Sequence, residues 1–425
     1  MLEIQRKLTQ SFLVILSLPA TAMGFALSVQ ISALSWILST KYNLDIHEVG
    51  IVWAAGPLAG IVGQVLIGIV SDKVWFWNGR RRPFILIGGV LASLMLLALP
   101  NIDVISNALG LDGILGVALV VALTLDLAIN ISFNPTRSII ADVTDAANRT
   151  KGYTWMQTIS GTFGVLAYAI GAQLGNYTLI YFGAVLVLLF SLIPPFFITE
   201  PKDLNNEGEK AQKREFSTLV DNDINGFYRL LFAHAFTWLG VQTMFVYMFA
   251  FIKHKLPAMD DTSIGSVISI SFLILNLVAA ILPAFVLEPV TKAIGRVKTH
   301  IICIASMSIA YAGIAFLGTT ASILYVMMAI AGIGWAATVS LPFAIMSEKV
   351  DQRRMGFYMG IFNLSVVLPQ LVASIYVGKI INDADDKNIT FIICAISLAI
   401  SAALWSLVKE VKSAERTPMV AGGGH

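Results

Sequence analysis

Apolar stretches of about 20 residues recur from one end of this 425-residue chain to the other, separated by polar connections. Wound as a helix, each stretch is long enough to cross a hydrocarbon layer of about 30 Å. The composition agrees, because 57% hydrophobic against 13% charged residues leaves too few charged side chains to coat a surface in water. The solvent is therefore lipid, and the expected class is an all-α membrane protein.

The hydrophobic pattern predicts twelve spans, at roughly 10–38, 49–71, 83–101, 113–142, 150–174, 177–198, 227–254, 264–289, 299–318, 321–347, 356–381 and 388–409. Of the 28 lysines and arginines, only Lys41, Lys253, Lys255, Lys379 and Lys387 fall on odd-numbered connections. Arg137 lies inside a span, and the others fall on the termini and even-numbered connections, so the positive-inside rule puts both termini in the cytoplasm. The longest polar segment, 199–226, is turn-prone and charged, and divides a six-span half, 1–198, from a second, 227–425. The halves echo each other: Gly79-Arg80 and Gly295-Arg296 follow spans two and eight, and Pro135 to Asp142 in span four matches Pro342 to Glu348 in span ten.

The first apolar stretch, Ser11 to Leu38, is too long for a signal-peptide core and reads as a span. Ala421 to His425 reads as a cloning remnant and is set aside. A net charge of +2 gives no support for nucleic-acid binding, and Cys303 and Cys394 suggest neither a disulfide nor a metal site. No nucleophile–base pair, metal-ligand spacing or phosphate-binding loop is recognisable, so an enzyme is not expected, and no cofactor is called for. A monomeric, non-signalling protein of the cell (inner) membrane, in contact with lipid, is the expectation.

Asp126 lies about 13 residues past the outer end of span four, roughly 20 Å into the helix at 1.5 Å per residue. An intramembrane carboxylate normally faces a wet cavity or a partner and is a functional candidate by default. The alternative is an aspartate held permanently ionised by a neighbouring cation. At 100° per residue, Asn130, Asn134 and Arg137 lie within roughly 80° of Asp126, giving span four one polar stripe suited to a substrate path. Arg137 serves equally as a site residue or as a brace near the cytoplasmic face. On span seven, His234, Trp238 and Gln242 share a face that joins an aromatic platform to hydrogen-bonding groups, with His234 read as an interhelical contact rather than a ligand. Gln30, Gln64, Gln157, Trp335, Thr338 and Asn363 complete the cavity candidates, although each could instead join helices. Pro135, Pro342 and Pro369 read as local helix distortions, and Asp142 with Arg80 and Arg81 as a cytoplasmic charge network or a solvated cluster.

Gly68 to Asp72-Lys73, followed by Gly79-Arg80-Arg81-Arg82-Pro83, resembles the loop motif of the major facilitator superfamily, with four extra residues between its acidic and glycine parts. That spacing resembles the sucrose and maltose proton symporters of the glycoside-pentoside-hexuronide:cation symporter group. Four further segments support the match: Trp53 to Gly60 with Gly56-Pro57 and Gln64; Asn134-Pro135-Thr136-Arg137 with Ala141-Asp142; Ser340 to Ala344; and Gly360 to Leu364 with Asn363, Pro369 and Gln370. The resemblance implies a major facilitator fold and proton-coupled symport of a disaccharide, sucrose or a maltose-like α-glucoside, by alternating access. It implies that Asp126 carries the proton and contacts the sugar, that Arg137 supports transport, and that Asp72, Arg80, Arg81 and Asp142 form a cytoplasmic gate. Span two holds no acidic residue before Asp72, which disfavours sodium coupling, and span five lacks the proline of drug–proton antiporters. The alternative within transport is an uncoupled sugar facilitator or an exporter of another polar solute.

Overall fold

The computed structural model describes residues 3–61, 70, 74–111, 113–144, 146–201, 223–350 and 355–410, and all statements of structure concern these. The predicted Gln64, Asp72 and most of the linker lie outside them. Helices fill the apolar stretches: α1 Gln10–Thr40, α2 Ile46–Ile61, α3 Arg82–Ala108, α4 Ile114–Val143, α5 Ala146–Leu174, α6 Asn176–Phe197, α7 Ile224–Lys255, α8 Asp261–Leu282, α9 Arg296–Leu317, α10 Ala321–Ser347, α11 Met355–Val372 and α12 Ile389–Trp405. Among the described residues, nine helical segments are long and apolar enough to cross a membrane, while Ile46–Ile61 and Ile389–Trp405 are shorter.

Polar side chains mark where several helices start. Thr9, Asp223, Asp260 and Thr320 each accept a hydrogen bond from a free backbone N–H in the first turn, and Asp45 with Glu48 forms a reciprocal capping box. Prolines sit inside α1, α4, α10 and α11 at Pro19, Pro135, Pro342 and Pro369. After Pro369 the chain widens into a π turn at Ala373–Val377, as expected where a proline removes one rung of the helical ladder.

Helices α1 to α6 pack largely among themselves, with α3 held between α4 and α6; α7 to α12 do the same, with α9 held between α10 and α12. One end of the bundle carries Gln5, Arg80 and Lys349 and is called basal here; the other is distal. The distal ends of the two groups touch. Ser32 and Ser269 hydroxyls lie 2.7 Å apart, Ser269 donates to Asn176 Oδ1 at 3.0 Å, Trp36 Nε1–H donates to the Asp261 carbonyl at 2.7 Å, and Lys253 donates to Ser39 Oγ at 3.3 Å. Gly50 of α2 lies so close to the other group that a Cβ there would fall 2.1 Å from both the Ser374 carbonyl oxygen and Tyr247 Oη. Tyr247 in turn donates to the Ala373 and Ser374 carbonyls of the π turn, at 3.2 and 2.7 Å.

The basal ends are organised by carboxylates. Glu200, which follows α6 and is buried, accepts hydrogen bonds from the backbone N–H groups of Arg80, Arg81 and Arg82 at 2.8 Å each, at the start of α3. Four N–H groups at a helix start have no partner within the helix, and their aligned dipoles favour negative charge. The second group repeats the device: Glu410 accepts from the N–H groups of Arg296 and Val297, at 2.8 and 2.9 Å, at the start of α9. Gly295 turns the chain into α9 at φ +91°, where a side chain would be strained. Asp142 at the end of α4 binds both Arg80, at 3.2 Å, and Arg81, at 3.1 Å, and Glu348 just past α10 pairs with Arg296. The sequence echo between the halves is therefore an echo of one charge network. Lys349, fully buried, donates to Asp223 and to the Lys409 carbonyl. Burial alone would raise the Asp223 carboxyl, but Lys349 and the Gly226 N–H outweigh it and hold that group below its ordinary range.

Two outcomes follow from these contacts. Gly50→Val should force the distal ends apart, lengthening the distance between spin labels at the exposed residues Asn43 and Asp385; an unchanged distance would show that the seal does not depend on this close approach. Glu200→Ala leaves three buried-end N–H groups without their acceptor and should cost about 1–3 kcal/mol, read as a lower melting temperature in detergent, whereas an unaltered melting temperature would remove the capping role.

Candidate functional site

A cavity of about 310 Å³ lies between the two groups of helices, with walls from α1, α2, α4, α7, α10 and α11. Gln30, Asp126, Asn130, Trp238, Gln242, Trp335 and Asn363, all sequence candidates, line it together. Among its described lining residues Asp126 is the single ionisable group.

The first group of helices supplies the acidic wall. Asp126 is 7% exposed, and its Oδ2 accepts a 3.0 Å hydrogen bond from Gln30 Nε2 across the α1–α4 contact. Among the described residues its side-chain partner is thus an amide rather than a cation. Gln30 is 2% exposed, and its Oε1 is buried with no hydrogen-bond partner among the described residues. Asn130, one turn below, commits a side-chain N–H to the Asp126 carbonyl at 2.8 Å. Phe133 follows on the same face.

The second group supplies the aromatic wall. Trp238 and Trp335 meet edge to face, with centroids 6.1 Å apart at 84°, and Phe245 meets Trp335 in the same way at 5.3 Å and 78°. Trp335 Nε1–H donates to Asn276 Oδ1 at 3.2 Å, and Trp238 Nε1–H to His234 Nε2 at 2.9 Å, so both indole donors are engaged within the protein. Gln370 Nε2 donates to Gln242 Oε1 at 3.2 Å, tying α11 to α7 along the cavity wall. At the distal side, Trp53 Nε1–H donates to Ser35 Oγ, which donates to the Val246 carbonyl, both at 2.8 Å. This relay joins the two groups directly beside the cavity.

Four sequence candidates stand outside the lining. Thr338 is buried and turns its hydroxyl to the Gly334 carbonyl at 2.8 Å, a satisfied contact within its own helix. Arg137 is exposed, with its guanidinium 4.1 Å over the Phe133 ring, so Phe133 occupies the wall where the polar stripe had predicted the arginine. Asn134 lies at the margin of that stripe and is only partly buried. Gln157 is exposed on α5, a helix with no residue among the described lining. Arg80, Arg81 and Asp142, read from the sequence as a cytoplasmic network or a solvated cluster, are brought together in ion pairs at the basal end.

Trp53, Phe133, Phe245 and Gln370 line the cavity without having been singled out as site residues. Phe245 follows Gln242 by three residues on the same helix face, and Gln370 follows Pro369; both signals were present but do not differ from ordinary packing.

Residues 16–374 match the Major Facilitator Superfamily. A sucrose transport protein of Arabidopsis thaliana is 24% identical over 414 residues, covering 81% of this chain and 80% of the relative. A general alpha-glucoside permease of Schizosaccharomyces pombe is 27% identical over 258 residues, covering 55% of this chain and 46% of the permease. In fold, the chain resembles the nucleoside transporter NupG, with a TM-score of 0.71 at 14% identity, covering 94% of this chain and 100% of that one. It also resembles the inward-open xylose transporter XylE from E. coli, with a TM-score of 0.69 at 14% identity, covering 95% of this chain and 97% of the other. With the superfamily match running through most of its length and membrane-length helices throughout, this chain belongs to the Major Facilitator Superfamily and is an integral membrane protein.

Proposed function

We propose that this chain takes up an α-glucosidic disaccharide, sucrose or a maltose-like sugar, together with a proton, by alternating access across the cell membrane. The observation that carries the proposal is Asp126: the one ionisable side chain among the described lining residues, held by an amide donor. An uncompensated charge in a poorly solvated cavity is costly, and binding a proton removes it. The Gln30 amide suits both forms, since it donates to a carboxylate and, rotated, accepts from a carboxylic acid. The neutral form can then engage a sugar hydroxyl.

The rest of the cavity fits the same substrate class. Its volume falls within the range of about 300–1,000 Å³ usual for small-molecule sites. Amides from four helices offer donors and acceptors to hydroxyl groups, and the Trp238, Trp335 and Phe245 wall offers carbon surface to the C–H faces of a sugar ring. The sucrose and alpha-glucoside relatives support this class of solute. With the basal end in the cytoplasm, as the lysine and arginine distribution argues, the bonded distal ends correspond to a state closed to the outside.

Asp126→Asn keeps the shape and hydrogen bonding of the side chain but cannot cycle a proton. In proteoliposomes with an imposed proton gradient, the variant should accumulate no sugar above the outside concentration while still exchanging labelled for unlabelled sugar. Accumulation equal to wild type would overturn the proton-carrier assignment, and equal uptake with or without a gradient in the wild type would favour an uncoupled facilitator.

A further inference from the structure

Trp238 stands on the cavity wall, yet its one hydrogen-bond donor points away from the cavity. The indole N–H donates at 2.9 Å to Nε2 of His234, one helical turn earlier. An indole nitrogen can only donate, so Nε2 must present its lone pair and the ring proton of a neutral His234 sits on Nδ1. The imidazole is 2% exposed and cannot turn freely, because Phe362 of α11 lies flat against it, with centroids 4.9 Å apart and 12° between the planes. Asn363, the next residue after Phe362, lines the cavity. One buried histidine, held by α11, thus fixes the rotation of Trp238. Trp335 is restrained in the same sense by Asn276, so the two indoles meet as a corner with both donors turned outward.

We infer that His234 is a positioning residue that makes Trp238 an apolar platform: it withholds the indole donor from the cavity and leaves carbon surface for the ring face of the solute. Without an acceptor at position 234, the indole is free to rotate about its side-chain bonds and offer its N–H to the cavity, and the stacking surface is lost. The inference deepens the disaccharide reading and rests on it for the identity of the solute. The geometry of the Trp238–His234 pair is independent of that reading and can be tested without any sugar.

The experiment uses full-length protein carrying His234→Leu, His234→Gln, Trp238→Phe and the double change His234→Leu with Trp238→Phe. Leucine removes the acceptor, glutamine restores one, and phenylalanine keeps a ring but has no donor. In proteoliposomes under a proton gradient, with sucrose and maltose as probes, His234→Leu should raise KM about tenfold, the scale of one net hydrogen bond, with kcat little changed. His234→Gln should return KM toward wild type, and His234→Leu should add nothing once Trp238 is phenylalanine. In parallel, detergent-solubilised protein labelled with 5-fluorotryptophan gives a fluorine line for Trp238, identified by its loss in Trp238→Phe. That line should shift and broaden in His234→Leu and stay narrow in His234→Gln. An unmoved line, or the same KM penalty with and without the indole at 238, would overturn the positioning role. A moved line in a protein that transports neither sugar would retain the positioning role and strike only the disaccharide reading.

Discussion

One hydrogen bond, from Gln30 to Asp126, carries more of this structure's chemistry than any other contact. A carboxyl group in the middle of a lipid-solvated bundle has little water to lean on, and its charged form is tolerated only where donors or a counter-charge face it. Here the donor among the described residues is a neutral amide on a different helix. A cation would hold the group ionised; an amide can serve either protonation state. The polar wall of the cavity, from Gln30 through Asn130, is built around that choice, and the opposite wall has no ionisable lining residue among those described.

The two walls differ although the halves share a plan. At their basal ends the halves repeat one construction: a carboxylate after the last helix caps the third, and an acidic residue at the end of the fourth binds the arginine beside that cap. Toward the cavity the resemblance stops. The first half presents a carboxyl and amides beside Trp53 and Phe133, the second two indoles, a phenylalanine, Asn363 and a glutamine pair, with no carboxyl among its described lining residues. A solute with hydroxyls on its edge and C–H bonds on its faces has a complement on both sides.

How much of this could be read from the chain depends on the range of each interaction. Asp126 and Asn130 were legible because their spacing is a property of one helix, and Gln30, Trp238, Gln242, Trp335 and Asn363 because an isolated polar or aromatic group within an apolar run must find some interior partner. Which interior was not legible for all: Thr338 satisfies itself on its own helix, and Arg137 places its guanidinium over the ring of Phe133. The role of Glu200 was not legible, since its partners are backbone groups 118 to 120 positions earlier in the chain. The Trp53–Ser35–Val246 relay was equally hidden, because it joins three helices that no periodicity brings together.

The distal seal has a chemical character that bears on how a bundle can change shape. Apart from the indoles of Trp36 and Trp53, its bonds are made largely by short hydroxyl side chains: Ser32, Ser35, Ser39 and Ser269. A hydroxyl that leaves a protein partner for water loses only about 0.5–1.5 kcal/mol net, and a serine has little side chain to reorder. A seam of leucines would have to expose apolar area at roughly 25 cal/mol per Å² as it parted. The hydrogen bonds of this seam change partners as it wets, so its polar part adds little to the free-energy difference between closed and hydrated forms, and differences in what the cavity holds weigh the more in the balance between them.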